Sequence, residues 1–253
     1  MALFSGVGVA LVTIFDAAGA VDAQATAAHA ADLAGRGMRA VLVAGTTGEA
    51  GTLSQPERTE LIGAVRAAVP ADIPVLAGTG AATEAEATAL TAAAAGAGAD
   101  AVLAYPPPGS DQVSGFFEAV ASAAGGRPVL AYHVPWISAP GVPVSQLPGL
   151  PVAGIKDSSG SADRLLDELA HYDGAVYVGS SALLALAGPM GGAGAILALA
   201  NVEPEACARA FAGDAAVQRD LAEVHLRVRA GGPPELKRML AERRGYSPRS
   251  RIG

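Results

Sequence analysis

The chain has 253 residues, of which 51% are hydrophobic and 16% charged, and its formal net charge is -7. This length suits one large domain, because α/β barrels commonly reach it without dividing. The acidic balance argues against a nucleic-acid partner, since phosphate binding requires a concentrated basic surface.

No apolar run reaches the roughly 18 residues of a membrane span, and the first residues lack a basic leader. We therefore expect a soluble, cytoplasmic protein without a membrane partner. The single cysteine, Cys207, excludes an intrachain disulfide and fits a reducing compartment.

Short apolar runs alternate with longer stretches of helical composition along most of the chain. Eight runs have the composition of buried parallel strands, at 6–15, 39–45, 73–78, 100–105, 127–134, 151–156, 174–179 and 192–199. Helices are predicted between them at 22–36, 54–69, 83–97, 111–125, 160–171 and 180–188, with a short one near 145–149. Two helix starts have the spacing of a capping box, Ser54 with Glu57 and Thr83 with Glu86.

Eight strand–helix units predict an α/β fold of the (β/α)8 TIM barrel type over residues 1–201, since an open doubly wound sheet more often has fewer strands. Residues 202–212, 214–230 and 233–244 have helical composition. We expect residues 202–253 to form a C-terminal helical extension packed on the barrel. Chemistry in this fold lies at the C-terminal ends of the strands and in the loops that follow, so polar residues there are the candidates.

Lys156 ends the sixth predicted strand, in the stretch PVAGIKDSSG. The chain has two lysines, Lys156 and Lys237, against fifteen arginines. An amine can act as a nucleophile once it is buried, whereas a guanidinium does not lose its proton. Strand alternation puts Val152 and Gly154 on the same side as Lys156, which leaves room for a long side chain inside the barrel. The alternative is a lysine that reaches solvent from the strand end or pairs with Asp157.

The second predicted strand ends in GTTGEAGTLSQPER. Thr46 and Thr47, between Gly45 and Gly48, offer backbone amides and two hydroxyls in one tight turn, which suits a small carboxylate. The alternative is an ordinary turn that leads into the capped helix. Glu49 is interpreted as a residue that holds this loop together by hydrogen bonds.

The fifth predicted strand ends in AYHVPWISAP. Alternation sends Tyr132 and His133 to opposite sides, so at most one of them faces the barrel mouth. A tyrosine there can transfer protons through its hydroxyl, and its alternative role is that of a core aromatic with a polar tip. A carboxylate cradle, a proton-transfer hydroxyl and an amine at the same ends of three strands would suit an enzyme that makes an imine with a 2-oxo acid.

The segments GTTGEAGTLSQPER, AGTGAATEAEA, YHVP, GIKDSSG and GAILALAN occur in an order and spacing similar to those of the dihydrodipicolinate synthase and N-acetylneuraminate lyase family. The chain resembles this family from about residue 6 to its end. The resemblance implies a (β/α)8 barrel and a class I aldolase that binds pyruvate or a related 2-oxo acid as a Schiff base and makes or breaks a carbon–carbon bond with an aldehyde. It also implies that no metal or organic cofactor is needed, and a homo-oligomer, a dimer or tetramer.

The resemblance also assigns residues by position. Lys156 resembles the Schiff-base lysine, Tyr132 the proton-shuttling tyrosine, and Thr46 the relay threonine. Substrate-binding positions correspond to Thr47, which resembles the residue that holds the 2-oxo acid carboxylate, to Gly179 in the loop after the seventh strand, and to Ile196 near the bound pyruvate.

The chain departs from this family at two strand ends. Trp136, Ile137 and Ser138 stand where the synthases have an arginine that binds the carboxylate of the aldehyde substrate, so we expect a different second substrate, less anionic or bulkier. The loop AYPPPGS has Pro107 or Pro108 in place of a tyrosine that reaches the neighbouring subunit. The proton relay is therefore incomplete or rebuilt, and a catalytically impaired protein that binds 2-oxo acids is an alternative.

A different enzyme class is also open. The stretch VGSSALLALAGPMGGAGAI would suit phosphate-binding loops after the seventh and eighth strands, which would leave Lys156 structural. The four histidines, His29, His133, His171 and His225, do not have metal-ligand spacing, so no metal is expected. AGTGAAT lacks the third glycine of a dinucleotide fingerprint, which argues against NAD.

Overall fold

The computed structural model describes residues 2–252. Its sheet consists of the strands β1 Gly6–Ala10, β2 Val41–Val43, β3 Val75–Gly78, β4 Ala101–Ala104, β5 Val129–His133, β6 Gly154–Asp157, β7 Ala175–Val178 and β8 Gly194–Leu197. Neighbouring strands pair in parallel, and β8 pairs with β1, so the sheet closes into a barrel in sequence order. The prediction of a (β/α)8 barrel is confirmed.

Helices connect the strands on the outside of the barrel, as parallel pairing requires. They are α1 Ala23–Gly35, α2 Gln55–Ala68, α3 Glu84–Gly96, α4 Ser114–Ala123, α5 Ala162–His171 and the short α6 Leu184–Ala187. The connection from β5 to β6 contains the 3₁₀ turn Val144–Gly149, where a short helix was predicted. The capping box at the start of α2 is present, since Ser54 and Glu57 bond each other's backbone amides.

The extension after β8 contains α7 Pro204–Phe211, α8 Ala215–Asp220 and α9 Ala222–Arg244. The prediction of a single helix over 214–230 is wrong, because the chain leaves α8 at Leu221 and begins α9 directly afterwards. The predicted break before residue 233 is present within α9, where Gly232 adopts φ 58° and ψ -149° ahead of two prolines. The division of the chain at residue 201 stays a prediction. None of the helices within residues 2–252 is long and apolar enough to cross a membrane.

Strand alternation divides the apolar side chains between two cores. One core lies between the sheet and the helices, and the other fills the inside of the barrel, with Leu42, Leu76, Leu103, Leu130, Tyr132, Tyr177 and Ile196 among its members. Near the start of the strands, Phe4 stacks on Tyr177 at 4.6 Å between ring centroids, and the Tyr177 hydroxyl donates to the Phe4 carbonyl at 3.0 Å. These contacts close that end of the barrel.

Asn201 connects the chain after β8 to the chain at the end of β1, where these two strands close the barrel. Its side-chain amide donates to the carbonyls of Ala10 at 2.7 Å and Ala198 at 2.8 Å, and its oxygen accepts from the Val12 amide at 3.1 Å. Asn201 is 1% exposed, so water does not replace these bonds if the side chain is lost. One side chain therefore satisfies three backbone groups at the seam.

We predict that Asn201→Ala lowers the free energy of unfolding by about 2–4 kcal/mol, because the Val12 amide and Ala10 carbonyl lose their partner while buried. Urea denaturation followed by circular dichroism measures the change. Thr83→Ala, which removes an exposed helix cap, is the control and costs about 1 kcal/mol. A smaller loss for Asn201→Ala than for the control would contradict this role.

Candidate active site

A cavity of about 420 Å³ opens at the carboxyl ends of β2 to β5. The residues that line it come mainly from the loop after β2 and from the ends of the next three strands. They are Ala44, Gly45, Thr46, Glu49, Ala50, Gly51, Thr52, Gly78, Gly80, Leu103, Tyr105, Tyr132, Ile137 and Ile252. Of the residues predicted from sequence, Thr46 and Tyr132 therefore line the cavity, whereas Lys156, Thr47, Gly179 and Ile196 are not among its lining residues.

Lys156 lies inside the barrel beside Tyr132. The two residues are register partners on β6 and β5, and the Lys156 Nζ lies 4.5 Å from the centroid of the Tyr132 ring. Lys156 is 4% exposed, so it does not extend to solvent from the strand end. Within residues 2–252, no carboxylate lies within 4.0 Å of this amine, so Lys156 forms no ion pair there. A buried amine that is not held in an ion pair is available to react.

Asp157 points away from Lys156, to the outer face of β6. Its carboxylate accepts from the amide and hydroxyl of Ser159, both at 2.8 Å, and lies 3.7 Å from the guanidinium of Arg164. The alternative in which Asp157 neutralises Lys156 is therefore wrong. Alternation along the strand separates the two charges.

Gly179 and Ser158 enclose the side chain of Lys156. A Cβ at position 179 would overlap the Ser158 hydroxyl and come 3.1 Å from the Lys156 Cε. A glycine is therefore required for both side chains to keep their places. The Ser158 hydroxyl donates to the Tyr132 hydroxyl at 3.4 Å. We did not predict Ser158 as a site residue. Alternation could have indicated it, because Ser158 follows Lys156 by two residues and therefore lies on the same side of the strand.

The turn after β2 presents two threonine hydroxyls. Thr46 is exposed and Thr47 half-buried, and neither hydroxyl has a hydrogen-bond partner within the described chain. The amides of Gly48 and Glu49 donate to carbonyls inside the turn. The carboxylate site expected at Thr46 and Thr47 stays a prediction. The residues on either side, Ala44 and Glu49, have φ of 52° and 57°. Strained backbone of this kind often marks a functional loop.

Glu49 fixes this turn by hydrogen bonds, as expected, but its partners are far along the chain. One carboxylate oxygen accepts a hydrogen bond from the ammonium of Lys237. The other accepts from the hydroxyl of Ser250 at 3.1 Å and from the amides of Arg251 at 2.7 Å and Ile252 at 3.2 Å. Burial lowers the pKa of Lys237, and the bond to Glu49 opposes that shift.

Two tyrosines and a histidine occupy the ends of β4 and β5. The rings of Tyr105 and Tyr132 lie 6.2 Å apart between centroids, and burial raises the pKa of the Tyr105 phenol. A Cβ at Gly80 would overlap the Tyr105 ring, so that glycine makes room for it. His133 lies on the other side of β5, where its Nδ1 accepts from the Val142 amide at 3.1 Å and burial lowers its pKa to about 4. The expected separation of Tyr132 and His133 is confirmed.

The loop after β5 contributes one apolar side chain to the cavity. Ile137 lines it, whereas Trp136 is 63% exposed, and the buried hydroxyl of Ser138 donates to the Pro106 carbonyl and joins this loop to the loop after β4. The residues that line the cavity, all within the described chain, include no lysine or arginine. An anionic group would therefore lack a direct cationic partner on this wall.

Two glycines in the loops between β7 and β8 serve for packing. A Cβ at Gly188 would overlap the Phe211 carbonyl, and one at Gly192 would come 2.8 Å from the Ala187 carbonyl. Phosphate binding at these loops stays an untested alternative. Among residues 2–252, no group of three or more histidine, cysteine, aspartate or glutamate side chains is placed to hold a metal ion.

Comparison with known proteins decides the family. The model of the dihydrodipicolinate synthetase family matches residues 3–230. The chain belongs to this family. It is 38% identical over 231 residues to the 4-hydroxy-tetrahydrodipicolinate synthase of Pseudomonas aeruginosa, which covers 86% of this chain and 79% of that protein. It is 39% identical over 136 residues to the enzyme of the same name from Synechococcus sp. (strain CC9605), over 52% of this chain and 45% of that protein. The chain thus spans about half the length of the cyanobacterial relatives that it matches.

A solved structure of the dihydrodipicolinate synthetase family has the same fold. The crystal structure of a prophage protein of the dihydrodipicolinic acid synthase family from E. coli K12, in complex with pyruvate, superimposes with a TM-score of 0.89. The two sequences are 26% identical, and the match covers 98% of this chain and 92% of that one.

An ionic cluster lies behind the strand that carries Lys156. The Nε of Arg164 lies 2.9 Å from the carboxylate of Glu168, which is fully buried, and 3.7 Å from that of Asp157. Burial, together with the nearby Asp157 carboxylate, raises the pKa of Glu168 to about 8, although Arg164 opposes the shift. Near neutral pH the cluster therefore holds a proton that the unfolded chain would release.

This cluster predicts how stability depends on pH. The pKa of Glu168 lies at about 8 in the folded chain, against 4.5 for an ordinary glutamate. Its contribution to stability is therefore complete below pH 4.5 and is lost as the pH rises through 8. We expect the melting temperature of the wild type to fall more steeply between pH 5 and pH 8.5 than that of Glu168→Gln, followed by circular dichroism. Asp167→Asn, at an exposed neighbour, is the control. Parallel curves for wild type and Glu168→Gln would argue against a raised pKa.

Proposed function

We propose that the protein is a class I lyase or synthase that makes or breaks a carbon–carbon bond between a 2-oxo acid and an aldehyde, through an imine on Lys156. The observation that carries the proposal is the buried Lys156 amine, which has an aromatic ring and a glycine beside it instead of a carboxylate. The pyruvate complex of the E. coli relative supports pyruvate as the oxo acid, and the names of the curated relatives support a synthase.

The first step joins the oxo acid to the protein. The Lys156 Nζ attacks the ketone carbon, a carbon–nitrogen bond forms, and the ketone oxygen becomes the hydroxyl of a carbinolamine. That oxygen must gain a proton to leave as water, which yields a protonated imine. In our proposal the Tyr132 hydroxyl transfers this proton, because its ring lies against the amine. Ser158, 3.4 Å from that hydroxyl, would orient it.

The second step uses the protonated imine as an electron acceptor. Loss of a proton from the adjacent carbon gives an enamine, whose electron pair attacks the aldehyde carbon while the aldehyde oxygen gains a proton. Hydrolysis of the imine then releases the product and restores Lys156. Cleavage follows the same steps in reverse. This chemistry needs no metal or organic cofactor.

The turn after β2 would bind the oxo acid. We assign the carboxylate to Thr47 and the proton relay to Thr46, since both hydroxyls lack partners within residues 2–252. Gly179 would leave room for Ser158 beside Lys156, and Ile196 would contact the oxo acid from β8, although neither residue lines the cavity.

The second substrate would differ from that of the synthases. Ile137 and Tyr105 contribute to the cavity, and a cationic side chain is absent from the lining residues of the described chain. This favours an aldehyde that is less anionic or bulkier. The expected homo-oligomer and cytoplasmic location stay predictions.

We predict that pyruvate with sodium borohydride produces a reduced adduct on Lys156, detected by peptide mass spectrometry. Lys156→Ala and Lys156→Arg should give none. Lys237 is an internal control in every sample, because it is equally buried but ion-paired with Glu49. The absence of an adduct across a panel of 2-oxo acids, or an adduct on Lys237 alone, would refute the proposal. An adduct without turnover of any aldehyde would favour the impaired binding protein.

We predict that Gly179→Ala slows formation of this adduct at least about 100-fold, because a methyl group would displace Ser158 and crowd Lys156, and small displacements of reacting groups have effects of this size. The rate of borohydride-trapped adduct measures the effect. Gly115→Ala, on the open surface of α4, is the matched control and should react like the wild type. Equal rates for the two variants would show that this glycine does not position Lys156.

A further inference from the structure

A segment from the far end of the described chain forms part of the cavity wall. Ile252 lines the cavity and is 38% exposed, so it lies at the entrance, whereas Lys156 is deeply buried. Ile137 lines the same cavity. The family match ends at residue 230, so residues 250–252 lie outside it. This wall is therefore supplied by a part of the chain that the family model does not describe.

The segment 250–252 is held in place by backbone bonds to a buried group. The amides of Arg251 and Ile252 and the hydroxyl of Ser250 all donate to one carboxylate oxygen of Glu49. Glu49 is 3% exposed and follows the Thr46–Gly48 turn directly. The position of Ile252 is thus fixed relative to the turn that we assign to the oxo acid.

The side chain of Arg251 provides a second attachment. It donates to the carboxylate of Glu57 at 2.6 Å, to the carbonyl of Gly19 at 2.9 Å and to that of Thr52 at 3.0 Å. Its guanidinium also lies 4.4 Å from the centroid of the Phe15 ring. Contacts to the loop before α1, the loop before α2 and the first turn of α2 are more than a loosely attached tail would make, so the wall has a defined shape.

We propose that Ile252 determines specificity for the aldehyde. Together with Ile137 it would place two branched apolar side chains at the entrance, where the part of the aldehyde that does not react must lie. An aldehyde with an apolar remainder would be favoured over a hydroxylated one, because the latter would lose water without gaining a hydrogen-bond partner on this wall. This inference rests on the proposed function, since it concerns the second substrate of the same site.

The test compares two aldehydes in the aldol addition of pyruvate, butanal and glyceraldehyde. We expect Ile252→Ser to lower the ratio of kcat/KM for butanal over glyceraldehyde about tenfold, mainly through the KM for butanal, since one or two apolar contacts discriminate to this extent. Leu226→Ser, an exposed leucine on α9 outside the cavity, should leave the ratio unchanged. Arg251→Ala should shift the ratio in the same direction as Ile252→Ser. An unchanged ratio in Ile252→Ser would overturn the inference.

A second measurement does not depend on imine chemistry. Binding of butan-1-ol, observed by saturation-transfer NMR of the ligand, should be about tenfold weaker in Ile252→Ser than in the wild type. Equal binding to both proteins, or none to the wild type, would overturn the role of Ile252 even if no oxo acid reacts. The borohydride adduct on Lys156 is measured in the same preparations, so a failure of the proposed function is recognised separately.

Discussion

A carboxylate buried away from water is stable only when cations and hydrogen-bond donors replace the lost water, and the mouth of this barrel is built around one such group. Glu49 receives the ammonium of Lys237 and three donors from residues 250–252. Because Glu49 also ends the Thr46–Gly48 turn, the bonds that hold α9 and the far segment on the barrel also fix the turn. Lys237 lies 4.0 Å from the centroid of the Phe15 ring, which brings the loop between β1 and α1 into the same assembly.

The two lysines show how surroundings decide the chemistry of a residue. Lys237 and Lys156 are 1% and 4% exposed. Lys237 faces a carboxylate, whereas Lys156 lies beside the ring of Tyr132 and the backbone of Gly179. The rarity of lysine in the composition did not distinguish a structural from a reactive amine, because one of the two is structural. The partners of each amine make that distinction.

Much of the fold could be predicted from sequence because its signals are local. Apolar runs, capping residues and alternation gave the eight strands, the helices between them and the opposite directions of Tyr132 and His133. The break at Leu221 was missed because neither glycine nor proline marks it. The pairing of Glu49 with Lys237 spans 188 positions, and the place of Ile252 depends on the path of several loops. Such contacts leave no periodic trace in a sequence.

The long reach of Glu49 also has a consequence for protein synthesis. The chain leaves the ribosome from its start, so β1 to β8 and their helices are available for folding well before residue 252 is made. Until then Glu49 lacks the three hydrogen-bond donors of residues 250–252, and these bonds do not yet stabilise the Thr46–Gly48 turn. All eight strands are therefore synthesised before the segment that completes the mouth of the barrel. A nascent chain halted before residue 250 would carry Lys156 and Tyr132 without the completed pocket above them.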